Sequence, residues 1–484
     1  MPNLKSQAVF GLVWTFTQQF GNQLISFIVS IFLARLLLPA EFGLIGMIAV
    51  FIHVGDALLK SGLTQSLVRS SGIEQDDYAT VFYYNLGASV LLYFVAYFSA
   101  PLIAGFYEEP VLIPLVQLYC LVFIISALTA VQQTRMTIEM DFKKQTIISI
   151  PSVIIGGITG IVLALNGFGV WSLVWNQLIT ALVRSGQFWI YSDWKPTWEF
   201  NVEKFKVHFN FGYKITLSGL IQRIFESLYI LIIGKFFTAA QVGFYTRADT
   251  MKNLPVTNLT MALSKVTYPL FSKIQNDTEK LKRAYRKVIM MVIFIIAPVM
   301  LSLGVLSEPI FRFLFTEKWL PAVPYFQILC IAGVFYPLHI YNSNVFNVKG
   351  RSDISLKLTV VKQVLLVLGI FVGLPFGISG LLWSQVAVSI ISFLILGHYT
   401  GRIIDYSAWN QILDISPMFA VSIFVAAGML LLDNYISDTS DIVRIILGSI
   451  LSIVLYLSLS YLFKFKSLHD LLELLPKRKN KSIN

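Results

Sequence analysis

Apolar stretches long enough to cross a lipid bilayer, separated by short polar breaks, run from near the start of the chain almost to its end. A spanning helix needs ~20 predominantly apolar residues. Runs of that kind fall at roughly 10–37, 43–67, 79–104, 111–134, 146–166, 168–191, 211–236, 243–271, 287–307, 322–347, 355–375, 377–400, 412–432 and 442–463, which predicts an all-α polytopic membrane protein of about fourteen transmembrane helices. Composition agrees: 56% of the 484 residues are hydrophobic and 13% charged, against about 45–50% and about 25% in soluble domains. A soluble enzyme, a nucleic-acid-binding domain and a disordered chain are thereby excluded. The first run begins near Ala8 behind Lys5 and reaches Leu38, too long for a signal-peptide core, so it reads as the first helix. Cys120 and Cys330 each sit inside an apolar run and read as inert packing residues.

The net charge of +11 acquires meaning by position. Basic residues in short loops mark the cytoplasmic side of a membrane protein. Summed over alternate faces, the termini and even-numbered loops hold 23 Lys and Arg, and the opposite face holds 5 (Arg35, Lys235, Arg312, Lys318 and Arg444). Both termini are therefore expected in the cytoplasm.

The chain also repeats itself. Ala34-Arg35-Leu36-Leu37-Leu38-Pro39-Ala40-Glu41-Phe42-Gly43 recurs loosely as Gly234-Lys235-Phe236-Phe237-Thr238-Ala239-Ala240-Gln241-Val242-Gly243, at an offset of 200. Phe168-Gly169, Leu173, Trp175 and Gln177 recur as Phe376-Gly377, Leu381, Trp383 and Gln385, at an offset of 208, and Gln117 and Cys120 recur as Gln327 and Cys330. Six helices per repeat is an even number, so both halves insert with the same orientation, related by a pseudo-two-fold axis along the membrane normal. The predicted organisation is a six-helix lobe over 1–192, a cytoplasmic linker over 193–210, a second six-helix lobe over 211–403, two additional helices over 404–464 and a basic tail over 465–484.

Polar residues inside spans are costly and usually face a bundle interior or a water-filled cavity. They gather in the first two helices of each repeat. Thr15, Gln18, Gln19, Asn22 and Ser26 share one stripe of the first helix, and His53, Asp56 and Lys60 one stripe of the second. Gln222, Arg223 and Glu226 share a face of the seventh; Arg247, Asn258 and Lys265 share a face of the eighth, with Asp249 and Lys252 elsewhere around it. The pattern predicts a polar, net basic central cavity. Arg223, Arg35, Arg247, Lys252 and Lys60 are its candidate anion-binding residues, Gln18, Asn22, Gln222 and Asn258 its amides, and Asp56, Glu226 and Asp249 the carboxylates available to a coupling proton or sodium ion. A plainer reading stands beside each. Amides in spans serve as interhelical hydrogen-bond partners, Asp56–Lys60 and Arg223–Glu226 stand at ion-pair spacing on a helix, and Arg35, Lys235, Lys265, Arg184 and Lys362 lie near enough to helix ends to snorkel.

Catalytic signatures are missing: there is no G-x-x-x-x-G-K-[ST], H-E-x-x-H or G-x-S-x-G motif and no metal-spaced Cys/His cluster, and the five histidines are scattered. No catalytic residue, metal or cofactor is assigned. Short external loops argue against a membrane-embedded glycosyltransferase or polysaccharide polymerase, and the surplus of Arg and Lys in spans argues against a drug/cation antiporter, for which an acidic cavity is expected.

The run from Ala34 to Gly43, then Asp56 through Gly62-Leu63 to Leu67-Val68-Arg69, resembles the start of bacterial polysaccharide exporters of the Wzx type, in particular the colanic acid and teichuronic acid branch. Phe244-Tyr245-Thr246-Arg247-Ala248, Asn253-Leu254-Pro255 and Tyr268-Pro269-Leu270-Phe271-Ser272 resemble the matching second-half pattern. The resemblance spans nearly the whole chain. It implies the MATE-like fold of the multidrug/oligosaccharidyl-lipid/polysaccharide (MOP) superfamily, residence in the bacterial cytoplasmic membrane, and an undecaprenyl-diphosphate-linked oligosaccharide as substrate. Membrane lipids, a coupling H+ or Na+, and polymerase or glycosyltransferase partners go with that reading; nucleic acid does not. A basic cavity suits a diphosphate, which Arg can hold bidentately where Lys acts as a point charge.

Overall fold

In the computed structural model, which describes residues 4–474 other than Ser61 and Ser71, every one of the long apolar runs is a helix. The first repeat supplies α1 (Leu4–Leu36), α2 (Pro39–Lys60), α3 (Gln75–Tyr107), α4 (Leu121–Ile138), α5 (Phe142–Leu165) and α6 (Val170–Tyr191). The second supplies α7 (Val202–Phe236), α8 (Ala239–Lys273), α9 (Thr278–Val305), α10 (Val323–Val348), α11 (Ser352–Gly373) and α12 (Gly377–Ile404), and α13 (Ala408–Tyr435) and α14 (Asp441–Leu462) follow. Short helices at Leu63–Arg69, Leu112–Tyr119, Ser307–Phe315 and Lys466–Leu474 connect or flank them.

Eleven segments among the described residues are long and apolar enough to cross a membrane, and one of these, Ser352–Ile404, contains both α11 and α12. The two remaining long helices are α6 and α8, and α8 alone carries Arg247, Asp249, Lys252 and Lys265. Large apolar side chains such as Phe20, Leu102, Ile190, Phe371 and Leu431 stand exposed on helix faces, where only lipid makes them inexpensive. The chain is a multi-pass membrane protein. Of the basic tail, residues 475–484 lie outside the described residues, and Lys466–Leu474 is tied back by an ion pair from Lys287 to Asp470 at 2.7 Å.

The duplication is visible in local chemistry. The backbone N–H of Leu38 donates to Glu41 Oε2 at 2.7 Å where α2 begins, and 200 residues later that of Thr238 donates to Gln241 Oε1 at 3.1 Å where α8 begins. The second site closes the capping box, since Gln241 N donates to Thr238 Oγ1 at 3.3 Å. Gly169 and Gly377, the two glycines of the repeated Phe-Gly pair, both take left-handed backbone (φ 56° and 71°) where α6 and α12 begin.

The two copies of the first motif also touch. A Cβ on Gly43 would stand 1.6 Å from the carbonyl oxygen of Ala239, and a Cβ on Gly243 would stand 2.0 Å from that of Pro39. Residues 43 and 39 meet 239 and 243, so the contact is reciprocal at the offset of the repeat. A local two-fold relates the starts of α2 and α8.

Contacts divide the chain into two compact units, Met1–Thr246 and Arg247–Asn484. Inside the first, α5 packs on α6, α3 on α4 and α4 on α6; inside the second, the counterparts six helices later do the same, α11 on α12, α9 on α10 and α10 on α12. The appended α13 packs on α9 and on α14, and a buried Arg444 pairs with Asp433 across the α13–α14 turn at 2.7 Å. Sequence repetition groups α7 with the second half, whereas packing groups it with the first, because α7 lies along α2, Leu63–Arg69 and α3.

Overpacking a close backbone crossing costs about 1–3 kcal/mol or more. Gly43→Leu and Gly243→Leu are each expected to lower the melting temperature sharply and to remove most monodisperse protein in detergent. Gly87→Ala, in α3 with nothing within 4 Å of the added carbon, should leave both unchanged or raise the melting temperature slightly; size-exclusion chromatography and thermal melts check all three.

Candidate functional site

The cationic stations expected from the sequence fall into three physical situations. On α7, the Glu226 carboxylate accepts from Gln222 Nε2 and from Arg223 Nη1, each at 2.8 Å, within one turn. This group remains open: the side chains of Arg223 and Glu226 are 55% and 47% exposed. On α8, Lys252 Nζ donates to Asp249 Oδ1 at 2.6 Å and Asn253 Nδ2 to Asp249 Oδ2 at 2.9 Å, so Asp249 and Lys252 neutralise each other locally. Arg247, only 6% exposed, holds its guanidinium over the rings of Phe315 and Trp319, 4.9 and 5.1 Å from their centroids. That stacking is a cation–π anchor inside the second unit.

The amides divide as well. Asn22 Nδ2 donates to Ser149 Oγ at 2.6 Å and Gln18 Nε2 to the Gln145 carbonyl at 3.4 Å, which fastens α1 to α5. Asn258 Nδ2 turns back to the Leu254 carbonyl of its own helix at 2.8 Å. Only Gln222 joins a charged group. Arg35 is exposed at the end of α1, while Lys235 pairs with Glu108 Oε1 at 3.0 Å. The side chain of Lys60 lies outside the described residues.

Asp56 and Arg184 meet an environment that periodicity did not reveal. Five elements of the first unit, namely α2, Leu63–Arg69, α3, α4 and α6, enclose a cavity of about 360 Å³. Asp56 of α2 and Arg184 of α6 are in its wall; Asn85 and Phe123 form its buried floor, and Gln65 and Gln133 stand exposed at its mouth. Arg184, expected to snorkel, is instead largely covered, and its Nε is buried without a hydrogen-bond partner. Snorkelling requires a free path to the headgroups; here the side chain lines a cavity. The signal that would have exposed this is tertiary, since the lining residues come from points as far apart as 56 and 184.

Residues 32–324 match the model of a family described as polysaccharide biosynthesis protein. The chain belongs to that family. The lipopolysaccharide biosynthesis protein WzxC of Escherichia coli (strain K12) is 26% identical over 371 residues, 75% of each chain. Among solved structures, the lipid II flippase MurJ in an inward closed conformation superposes with a TM-score of 0.74 at 15% identity, over 95% of this chain and 100% of that one. An inward-facing MATE family multidrug transporter of the MOP superfamily gives 0.60 at 19% identity, over 79% and 95%. The expected MATE-like fold is thus the fold of this family member.

One polar network escaped the sequence reading altogether. At the start of α7, Lys204 Nζ donates to Glu74 Oε2 at 2.6 Å, to Asp77 Oδ2 at 2.9 Å and to Asp76. The buried His208 sits between Asp77 Oδ1 at 3.1 Å and Ser66 Oγ at 2.8 Å. Around it, Asn201 caps α7 and reaches Asp76 and Thr80, and Trp194 and Lys195 bond Gln75, so the segment joining the two repeats is laid along the first turns of α3. The excess negative charge is tolerated because it sits at the N-terminus of α3, where the helix dipole favours anions. Lys204 held the clue in sequence only as one basic residue of a linker. Lys204→Met should loosen that segment, read as a severalfold faster cleavage at Glu199 by a glutamate-specific protease; an unchanged rate would mean that Trp194 and Gln75 hold it unaided.

Proposed function

We propose that this family member is a flippase that carries an undecaprenyl-diphosphate-linked oligosaccharide from the cytoplasmic to the periplasmic leaflet of the bacterial cytoplasmic membrane by alternating access. It is a transporter rather than an enzyme, with both termini in the cytoplasm, and works beside the glycosyltransferases and polymerase that make and consume its substrate. The observation that carries the reading is Arg223. It lies twelve residues before Lys235 on α7, which at 1.5 Å per residue is ~18 Å along the axis in a hydrocarbon core ~30 Å thick. A half-exposed guanidinium at that depth is expensive against acyl chains and inexpensive beside water or an anion. Family membership and the fold shared with a lipid II flippase support a lipid-linked saccharide as that anion's carrier.

In this reading Arg223 holds the diphosphate, with Arg35 and Lys60 as further positive stations and Gln222 as a donor to the glycan. Arg247, Gln18, Asn22 and Asn258 serve the packing described above. Asp56, Glu226 and Asp249 are the carboxylates available to a coupling ion; transport must then slow when both gradients are collapsed, since a coupling ion acts only by binding the two cavity states differently.

Arg223→Gln is expected to reduce glycan export to less than a tenth with normal membrane insertion. Arg223→Lys should retain part, because charge survives and bidentate geometry does not. The double variant Arg223→Gln/Glu226→Gln decides between roles. If Arg223 merely neutralised Glu226, the second substitution would restore export; if it holds substrate, export stays lost. Translocation of labelled lipid-linked sugar in proteoliposomes, without bond cleavage, is the direct measurement.

A further inference from the structure

The cavity of the first unit is lined by both donors and acceptors. Two buried nitrogens in its wall make no hydrogen bond, Asn85 Nδ2 and Arg184 Nε, and both are donors. Asn85 is only 3% exposed, and a buried donor left unsatisfied destabilises the fold. Among the other lining residues, hydroxyls have spent their protons on helix carbonyls, Thr129 on Ser126 at 3.2 Å and Thr134 on Ala130 at 2.7 Å, so their oxygens remain as acceptors. The Asp56 carboxylate adds another acceptor, and the Phe123 ring gives an apolar floor.

The second copy of the repeat does without these charges. At the offsets of the repeat, Asp56 corresponds to Val256 and Arg184 to Ser392, both buried in the second unit. The second half builds equivalent helix pairs with neither charge. A guanidinium retained in one copy alone, with its Nε buried and unsatisfied, is a group for which a ligand gives a reason and helix packing does not.

We propose that this cavity is a binding site for one small hydroxylated oxyanion, a sugar acid or a sugar phosphate. Arg184 and Asn85 hold the acid oxygens; Thr129, Thr134 and Asp56 accept from the hydroxyls; Gln65 and Gln133 stand at the entrance. The volume of about 360 Å³ lies at the small end of ligand sites, about 300–1,000 Å³, which admits one sugar-sized molecule. Inorganic phosphate carries no sugar hydroxyls for Thr129, Thr134 and Asp56 to accept from, so the site should prefer an oxyanion bearing several hydroxyl groups over inorganic phosphate. The inference does not depend on the transport reading, since binding is measured on idle protein.

The test uses the full chain in nanodiscs, with saturation-transfer NMR and calorimetry against glucuronate, glucose 6-phosphate, glucose and inorganic phosphate. The expected result is binding of glucuronate or glucose 6-phosphate at least tenfold tighter than of glucose or phosphate, the two acids deciding which oxyanion is taken. Arg184→Gln should weaken it at least tenfold. Gly55→Ala should abolish it with every polar group in place, because a Cβ at 55 would stand 2.2 Å from Phe123 Cζ and drive the ring into the cavity. Should either variant fail to fold, Gln65→Leu and Gln133→Leu at the exposed mouth replace it, with a severalfold loss expected. No binding to the unaltered protein, binding indifferent to all these changes, or phosphate binding as tightly as the sugar acids would each overturn the proposal.

Discussion

Two glycines meeting across a local two-fold constrain this protein more than any other contact. Gly43 and Gly243 bring the starts of α2 and α8 so close that the backbone of each fills the space where the other's side chain would be. Membrane helices have no hydrophobic force to pull them together and rely on close packing of small residues. Once those two starts are fixed, the rest of each helix inherits its direction. At the other end of α2 a second glycine contact repeats the device, since a Cβ on Gly62 would stand 2.8 Å from the Gly212 carbonyl oxygen of α7. Between these two points α7 lies along α2, which is why packing assigns it to the first unit.

Charges inside such a scaffold must be satisfied where they stand, and the chain does so by three routes. Neighbours one turn away neutralise each other, as in Asp249 with Lys252. Aromatic rings take a guanidinium, as Phe315 and Trp319 do for Arg247. Helix ends gather opposite charges, as Lys204 does for three carboxylates. Arg223 uses the first route and still remains open on one side, and Arg184 has an unsatisfied Nε in an enclosed space. These last two are where ligands have something to gain.

What the sequence disclosed follows from the range of the interactions involved. Helix number and position were legible because apolar run length is a local property, and all fourteen long helices coincide with predicted runs. The repeat was legible because glycines and turn residues are retained where backbone geometry leaves no choice, as at Gly169 and Gly377. The stripe on α7 was legible too, since Gln222, Arg223 and Glu226 act within one turn. The surroundings of Arg247 and Arg184 were not legible for a common reason. Proximity to a helix end or a polar stripe says nothing about the rings or cavity another helix brings alongside. The Lys204 cluster joins residues some 130 positions apart, beyond any periodicity.

The same duplication that fixes the fold also separates structure from chemistry. Positions that both copies must fill alike, Gly43 with Gly243 and Phe168-Gly169 with Phe376-Gly377, concern backbone approach and turns. Positions where the copies differ concern charge. Asn22 and Gln222 keep an amide at equivalent places on α1 and α7, yet the next polar neighbours are Gln23 and Ser26 on one helix and Arg223 and Glu226 on the other. The amide of α1 is consumed in holding α5 and that of α7 in holding a carboxylate. A symmetric scaffold thus carries an asymmetric set of charges, with the open guanidinium on α7 of the second repeat and the enclosed one on α6 of the first. Because each half folds without the other's charges, those charges are free to be set by what the protein binds.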